Sequence, residues 1–384
     1  MNVLEQSCHD ILIKNLDYAN ELVYILYDTE SPLAKILSNA YIAIAPENSR
    51  IREFKNPPQP LYRGGLINPD NPHKKEQNRV ITSHNIEENK RVWLTHHTEY
   101  GYQQEDIIDP EIESIKDELL ALPMGSIVVL IQSTNFRLST FRIRLELFHR
   151  GVHVIEFNHL AYIPESEYET FQSSLVYRTN EYTRLEKIFR ESISSAKNTH
   201  IYSQNGSVLN FGLLENIRWN TGDYRNTINK WGTFPIGEIF TESINLDEVS
   251  GRCLVESYPN EDFSVNYCIP FELVIAQWRA LPSSDFPPAF AKLYNWIIEF
   301  EWEVMVRELG FWLNPAITTS TPLSDINFYE RKIGVHLSLG KKHGIYGKKL
   351  PKTETQRFHI DVFLALDSVI IGDKKFYEDG MWIL

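Results

Sequence analysis

The first half of the chain alternates short apolar runs with amphipathic stretches. Residues 126–131 form a continuous apolar run, which is typical of a strand buried on both faces. Residues 135–150 follow with apolar positions at helical spacing, Gly151 ends that stretch, and residues 152–157 form the next apolar run. This strand–helix–strand order predicts neighbouring parallel strands joined by a right-handed crossover.

The remaining pattern of this half predicts an α/β domain over residues 1–195. The other predicted elements are strands at residues 21–27, 40–45 and 200–203 and helices at residues 31–38, 110–122 and 181–197. Between them, residues 57–109 are rich in Pro, Asn, His and charged side chains, which favours long loops with short edge strands. We therefore expect parallel strands covered by helices in this domain.

The pattern changes after residue 195 to one that favours a mixed α/β domain over residues 196–384. Residues 208–219 alternate as in a sheet, and residues 238–241 form a short strand directly after a Pro-x-Gly turn. Residues 358–362 form a β-branched and aromatic run and residues 334–339 a second strand-like run, which predict two more strands.

One long helix is expected in this second domain. Residues 283–285, Ser-Ser-Asp, are good N-cap residues, and the apolar positions over 290–304 step by three and four. The same pattern predicts that the helix ends at residues 307–310, that Glu308 lies at its end, and that residues 311–315 continue as a strand.

Candidate metal ligands lie in the last two predicted strands. The period-2 alternation places His359 and Asp361 on one face of their strand, about 7 Å apart along it. His336 lies in the strand at residues 334–339, and two imidazoles with a carboxylate make a metal pocket. An isolated His-x-Asp pair is more often structural. Glu238, immediately after the Pro-x-Gly turn, can project a further carboxylate into a cleft from rigid backbone.

Composition narrows the function classes. A chain of 384 residues exceeds the size of one hydrophobic core, so two domains are expected. Its 38 Lys+Arg against 51 Asp+Glu, a net charge of -13, argue against a nucleic-acid binder. Three cysteines without C-x-x-C spacing indicate neither a disulfide framework nor a thiolate zinc site. No signal peptide and no apolar window of membrane length is evident, so we expect a cytoplasmic protein without membrane or nucleic-acid partners.

Four sequence blocks, in order, resemble the aminopeptidase T family of metallo-aminopeptidases. They are Pro-x-Gly-Glu-x-Phe-Thr from Pro235, Glu-Leu-Gly-x-x-x-Asn-Pro from Glu308, His-x-x-x-Gly from His336 and His-x-Asp from His359. The resemblance covers mainly residues 200–384 and implies a two-metal aminopeptidase that forms a homodimer. The metal ligands that it implies are Glu238, Glu308, His336, His359 and Asp361, with Asp361 or Glu308 bridging the ions.

The chemistry of such a site follows from its donors. Three carboxylates and two imidazoles offset most of the charge of two divalent ions and suit Zn, Mn or Co. Such ions lower the pKa of a bound water and polarise the scissile carbonyl of a peptide or amide. A carboxylate, for which Glu238 and Glu308 are the candidates, takes and returns the proton.

The chain departs from the family at one position. The family has a Tyr seven residues after the first His of the site, where this chain has His343, and Tyr346 follows three residues later. Both side chains can donate a hydrogen bond, so both are catalytic candidates. Five lysines between positions 341 and 352 surround them, which favours an anionic substrate or an ordinary solvated loop.

Two other functions remain open. A related dihydroxypyridine dioxygenase binds a single Fe(II) with two His and one Asp, and His336, His359 and Asp361 match that triad. Retention of Glu238 and Glu308 favours the two-metal hydrolase. The third possibility is a non-catalytic peptide-binding protein on the same fold, which the replacement of the family Tyr supports.

Overall fold

The computed structural model describes residues 1–55, 110–134, 143–227, 230–260, 264–340 and 358–383. The loops and edge strands expected over residues 57–109 lie outside these ranges, as does the first part of the helix expected over residues 135–150. His343, Tyr346 and the lysines around them also lie outside the described residues.

The N-terminal region combines helices with short strands. Its helices are α1 (Val3–Asp10), α2 (Pro32–Ala43), α3 (Pro110–Leu120), α4 (Ile143–His149), α5 (Tyr168–Ser174) and α6 (Thr179–Ser195), and its strands are β1 (Val23–Tyr27), β2 (Arg50–Glu53), β3 (Ile127–Ile131) and β4 (His153–Phe157). Short turns of π- or 3₁₀-helix lie at Ile11–Asn15, Leu160–Tyr162 and Glu165–Glu167.

The strand expected at residues 40–45 is wrong, because α2 continues through most of it. The Ser31 hydroxyl accepts a hydrogen bond from the N–H of Ala34 at 3.2 Å and starts the helix. Leu37 and Tyr41, one turn apart, are both fully buried. The apolar residues after position 38 therefore continue a buried helical face rather than begin a strand.

The C-terminal region is mostly strand. Its strands are β5 (Thr199–Ser203), β6 (Val208–Asn210), β7 (Leu214–Asn220), β8 (Trp231–Thr233), β9 (Glu238–Ser243), β10 (Ser250–Pro259), β11 (Val265–Ala276), β12 (Arg279–Ala280), β13 (Val304–Trp312), β14 (Gly334–Leu339), β15 (Ile360–Leu364), β16 (Leu366–Ile371), β17 (Lys374–Glu378) and β18 (Met381–Trp382). Its helices are α7 (Pro288–Glu301) and α8 (Ile326–Tyr329), with a 3₁₀ turn at Leu246–Glu248. None of the helices in the described ranges is long and apolar enough to cross a membrane.

The first sheet is parallel throughout, in the order β2-β1-β3-β4-β8. Within β3, Ile127, Val129 and Ile131 belong to one buried cluster. Val128 and Leu130 belong to a second cluster on the opposite face. The strand at residues 126–131, its burial on both faces and the parallel sheet are thus confirmed.

One strand from beyond the expected domain boundary joins the first sheet. From Thr199 onward the strands join the second sheet, except β8, which pairs in parallel with β4 through Val154 and Trp231. The boundary at residue 195 stays a prediction, because β8 places part of the later chain in the first sheet.

The second sheet is antiparallel and carries the candidate ligands. Its order is β11-β12-β13-β14-β15-β10-β6-β5-β16-β17-β18, with β9 paired to β13 and β7 to β9, and the pairing of β10 with β11 closes six of these strands into a ring. All residues of β13, β14 and β15 are buried. An α/β chain with a parallel N-terminal sheet is therefore confirmed, and its C-terminal part is an antiparallel sheet with few helices.

The long helix ends earlier than the sequence pattern indicates. α7 stops at Glu301, and Trp302 adopts a left-handed conformation with φ 64° that turns the chain. Val304 then begins β13, so Glu308 lies within a strand and not at the end of a helix. The expectation failed because a run buried on both faces carries no period that separates helix from strand. The Ser283–Asp285 cap is also wrong, since Pro287 precedes the first turn without a side-chain hydrogen bond.

Candidate metal centre

Strand register brings the candidate ligands into one row. On β13, Glu308 lies opposite Ser338 of β14, and Ser338 lies opposite Asp361 of β15. Two residues farther along β13, Gly310 lies opposite His336 of β14. Because directly paired residues on adjacent strands point to the same face, these side chains share one surface of the sheet.

The ligand atoms form two groups that share one residue. Glu238, Glu308 and His336 make the first group, Glu308, His359 and Asp361 make the second, and within each group the atoms lie within 4.8 Å of one another. Nε2 of His336 lies 3.4 Å from Oε1 of Glu308 and 4.0 Å from Oε1 of Glu238. Nε2 of His359 lies 4.0 Å from the same Glu308 oxygen and 3.5 Å from Oδ1 of Asp361.

Gly310 makes room for the His336 ring. A Cβ atom on this glycine would lie 1.8 Å from Cε1 of His336, which is far inside van der Waals contact. No other residue fits here while the ring keeps its place. Sequence reasoning did not single out Gly310, although it is part of the Glu-Leu-Gly block.

The backbone before Glu238 is held from two sides. Gly237, at φ 119°, accepts a hydrogen bond from the N–H of Leu313 at 2.9 Å. Nε of Arg331 donates to the carbonyl oxygen of Pro235 at 3.1 Å. The turn expected from the Pro-x-Gly sequence therefore delivers Glu238 at the first residue of β9, beside the other candidate ligands.

Trp312 lies against both a cation and the His336 ring. The Arg331 guanidinium lies over the Trp312 ring at 4.8 Å from its centroid. The Trp312 and His336 ring centroids are 5.9 Å apart. Sequence reasoning singled out neither residue, because neither has a spacing that distinguishes it from ordinary core.

The cluster has an excess of negative charge. Burial raises the pKa of Glu238 to about 8, with help from Glu308 and Asp361 and against the opposing charges of His336 and Arg331. Burial alone would lower the pKa of His336, but Asp361, then Glu308 and Glu238, outweigh it and raise this pKa to about 9. Both groups therefore hold protons that a bound cation would displace.

The donor set fits divalent metal ions. Carboxylate oxygens and imidazole nitrogens are the ligands of Zn, Mn, Co and Fe sites. Glu238 and His359 keep 18% and 16% of their side-chain surface exposed, while His336 is fully buried, so the centre opens to solvent along one side. The structure thus brings together all five residues expected from the sequence, and their roles as ligands stay a prediction.

Comparisons with known proteins give a relationship at the level of the fold. No protein-family model and no curated protein matches the sequence. Among solved structures, the 2,5-dihydroxypyridine dioxygenase from Pseudomonas putida KT2440 is similar, with a TM-score of 0.54 and 15% identity over 99% of this chain and 96% of that chain. Wild-type AmpT from Thermus thermophilus is similar as well, with a TM-score of 0.54 and 12% identity over 100% of this chain and 99% of that chain.

Proposed function

We propose that this chain is a metal-dependent hydrolase of the aminopeptidase type, acting on a peptide or amide bond through two divalent ions. The two similar structures are an aminopeptidase and a dioxygenase, both metalloenzymes, which supports an enzyme with a metal cofactor. The four sequence blocks that resemble the aminopeptidase T family support the hydrolase. Zn, Mn or Co are the ions that the donor set favours.

The position of Glu308 between the two imidazoles is the observation that supports the two-metal proposal. Its Oε1 atom faces Nε2 of both imidazoles, at 3.4 Å for His336 and 4.0 Å for His359. It is the one residue common to the two ligand groups. A carboxylate in that position can bridge two ions, whereas a single-ion site has no use for a second group of ligands around Glu238.

The residues divide the work by position. Glu308, His336, His359 and Asp361 would hold the ions with Glu238, and bound ions would activate water and polarise the substrate carbonyl. Glu238 is the most exposed of the three carboxylates, so it is placed to exchange protons with a substrate. The proposal also includes a peptide or small-molecule substrate and a homodimeric assembly.

Metal content tests the proposal most directly. Protein purified without chelator and reconstituted with Zn, Mn or Co should contain two ions per chain by elemental analysis and release N-terminal residues from short peptides. Glu308→Gln removes the shared ligand charge, so its metal content should fall to about one ion and its peptidase activity by about 100-fold or more.

Glu272→Gln is the matched control, because Glu272 lies on the surface in a pair with Arg252. This variant should keep both ions and full activity. Two bound ions without hydrolysis of any peptide would remove the peptidase assignment. Absence of bound metal after reconstitution would instead favour the non-catalytic peptide-binding protein.

A mononuclear Fe(II) ring-cleaving dioxygenase is the second candidate. Nε2 of His336 lies 3.8 Å from Oδ2 of Asp361, and Nε2 of His359 lies 3.5 Å from Oδ1, so the three side chains can face one ion. The dioxygenase also matches this fold with a TM-score of 0.54. One iron per chain, together with oxygen uptake on a dihydroxypyridine, would select this function and reject the hydrolase.

A further inference from the structure

Ser338 lies in the middle of the ligand row and contacts two carboxylates. Its hydroxyl oxygen is 2.6 Å from Oδ1 of Asp361 and 3.0 Å from Oε1 of Glu308. The side chain is only 1% exposed and is fixed by cross-strand pairs on both sides. Both distances lie within the hydrogen-bond range for a hydroxyl and a carboxylate.

The two oxygens that Ser338 contacts are also those nearest the imidazoles. Glu308 Oε1 is the atom 3.4 Å from Nε2 of His336, and Asp361 Oδ1 is the atom 3.5 Å from Nε2 of His359. A hydroxyl has one hydrogen to donate and two lone pairs. Its one hydrogen is donated to one carboxylate at a time, most readily to Asp361 at 2.6 Å, while the hydroxyl oxygen still lies 3.0 Å from the Glu308 oxygen. Ser338 therefore constrains the rotation of both carboxylates and the distance between them.

We infer that Ser338 is a positioning residue that couples the two ligand groups of the centre. It sets the distance between the shared carboxylate of Glu308 and the carboxylate of Asp361, so that binding of an ion in one group prepares the other group. The inference rests on the proposed metal centre. Without the hydroxyl, two buried carboxylates face each other across an apolar gap, and their repulsion turns them away from the imidazoles.

The test measures binding of each ion rather than turnover. Co(II) is titrated into metal-free protein and followed by calorimetry and by visible absorption, which reports the coordination of the bound ion. Ser338→Ala should weaken Co(II) binding by about 10–100-fold in the group that contains Asp361 and His359, and alter the spectrum of that ion. The two binding steps, coupled in the wild type, should become independent.

A pair of variants with equal shape isolates the hydroxyl. Ser338→Thr and Ser338→Val differ only in that Thr keeps the hydroxyl, and both suit a strand. The Ser338→Thr variant should bind Co(II) with an affinity within about threefold of the wild type, and the Ser338→Val variant should lose as much affinity as Ser338→Ala. This comparison keeps the test decisive if the Ala variant does not fold.

Ser203→Ala is the control, because Ser203 is another buried strand serine whose hydroxyl accepts from the N–H of Leu254 at 3.0 Å. It should leave Co(II) binding unchanged. Equal Co(II) affinities of the Thr and Val variants would overturn the role of Ser338 and leave the metal centre standing. Wild-type protein that binds no Co(II) at all would overturn both.

Discussion

Two buried acidic sites in this molecule are built in opposite ways. At the carboxyl end of β1, Asp28 is fully buried and accepts hydrogen bonds from the N–H of Ser133 at 2.8 Å and the N–H of Glu30 at 3.2 Å. The Ser133 hydroxyl also donates to it and lies 3.0 Å from the hydroxyl of Ser31. This single carboxylate is stabilised by neutral donors of the fold itself.

The second acidic site, in the antiparallel sheet, gathers several carboxylates instead of one. There, three carboxylates lie around two imidazoles and the hydroxyl of Ser338. The pKa values of Glu238 and His336 are both raised, so the cluster retains protons in place of cations. One buried carboxylate is thus a structural element, whereas a cluster of three is stabilised by added positive charge, from protons or from cations.

The largest effect should follow from closing the space beside His336. Gly310→Ala places a Cβ where the ring lies, so we expect loss of the ion bound by Glu238, Glu308 and His336. Overpacking should also destabilise the protein by about 1–3 kcal/mol. Elemental analysis and urea unfolding measure the two consequences separately.

Gly206→Ala separates metal loss from general destabilisation. Its Cβ would meet nothing within 4 Å, but Gly206 has φ 83°, so the substitution strains the backbone at a cost of about 1 kcal/mol. This control should keep its full metal content. A Gly310→Ala protein that still binds both ions would show that metal binding does not require the His336 ring in this position.

The acidic cluster should make the metal-free protein less stable as pH rises. Glu238 stays protonated in the fold to about pH 8 but ionises near its ordinary pKa of 4.5 when unfolded, so stability falls between these values. His336 keeps its proton to about pH 9 instead of 6.5, so its stabilising contribution is complete below pH 6.5 and lost by about 9. The melting temperature with chelator should fall by roughly a few degrees from pH 6 to 9.

Glu238→Gln should flatten that pH dependence, because the amide has no proton to lose. Added Co or Zn should also flatten it in the wild type, since the ions replace the protons. A metal-free protein whose melting temperature is constant or rises from pH 6 to 9 would show that the cluster is not as strained as its charges indicate.

The smallest effect on metal binding should come from the site around Asp28. Ser133→Ala removes one hydroxyl donor from Asp28 and should lower the free energy of unfolding by about 1.5–3 kcal/mol. Metal content and the pH dependence of the melting temperature should not change. A drop in bound metal in this variant would mean that the two sites are coupled, and the comparison between them would fail.

Local sequence pattern determined much of the fold, and the resemblance of four sequence blocks to a known family implied the full set of five candidate ligands. The apolar run at β3 predicted a strand buried on both faces, because every residue there is hydrophobic. The alternation around His359 and Asp361 placed both on one face, and Nε2 and Oδ1 lie 3.5 Å apart. Period fails where burial is complete, which is why the start of β13 was assigned to a helix. At residues 40–45 the apolar run was too short to separate strand from helix, and α2 continues to Ala43.

Only the tertiary structure decided how the strands meet. Glu308 is 30 residues from Ser338, and Ser338 is 23 residues from Asp361. Sequence period fixes which face a side chain takes, but the register between distant strands depends on long-range packing and carries no local signal. For that reason the roles of Gly310 and Ser338, and the sharing of Glu308 between two ligand groups, became visible only in the assembled sheet.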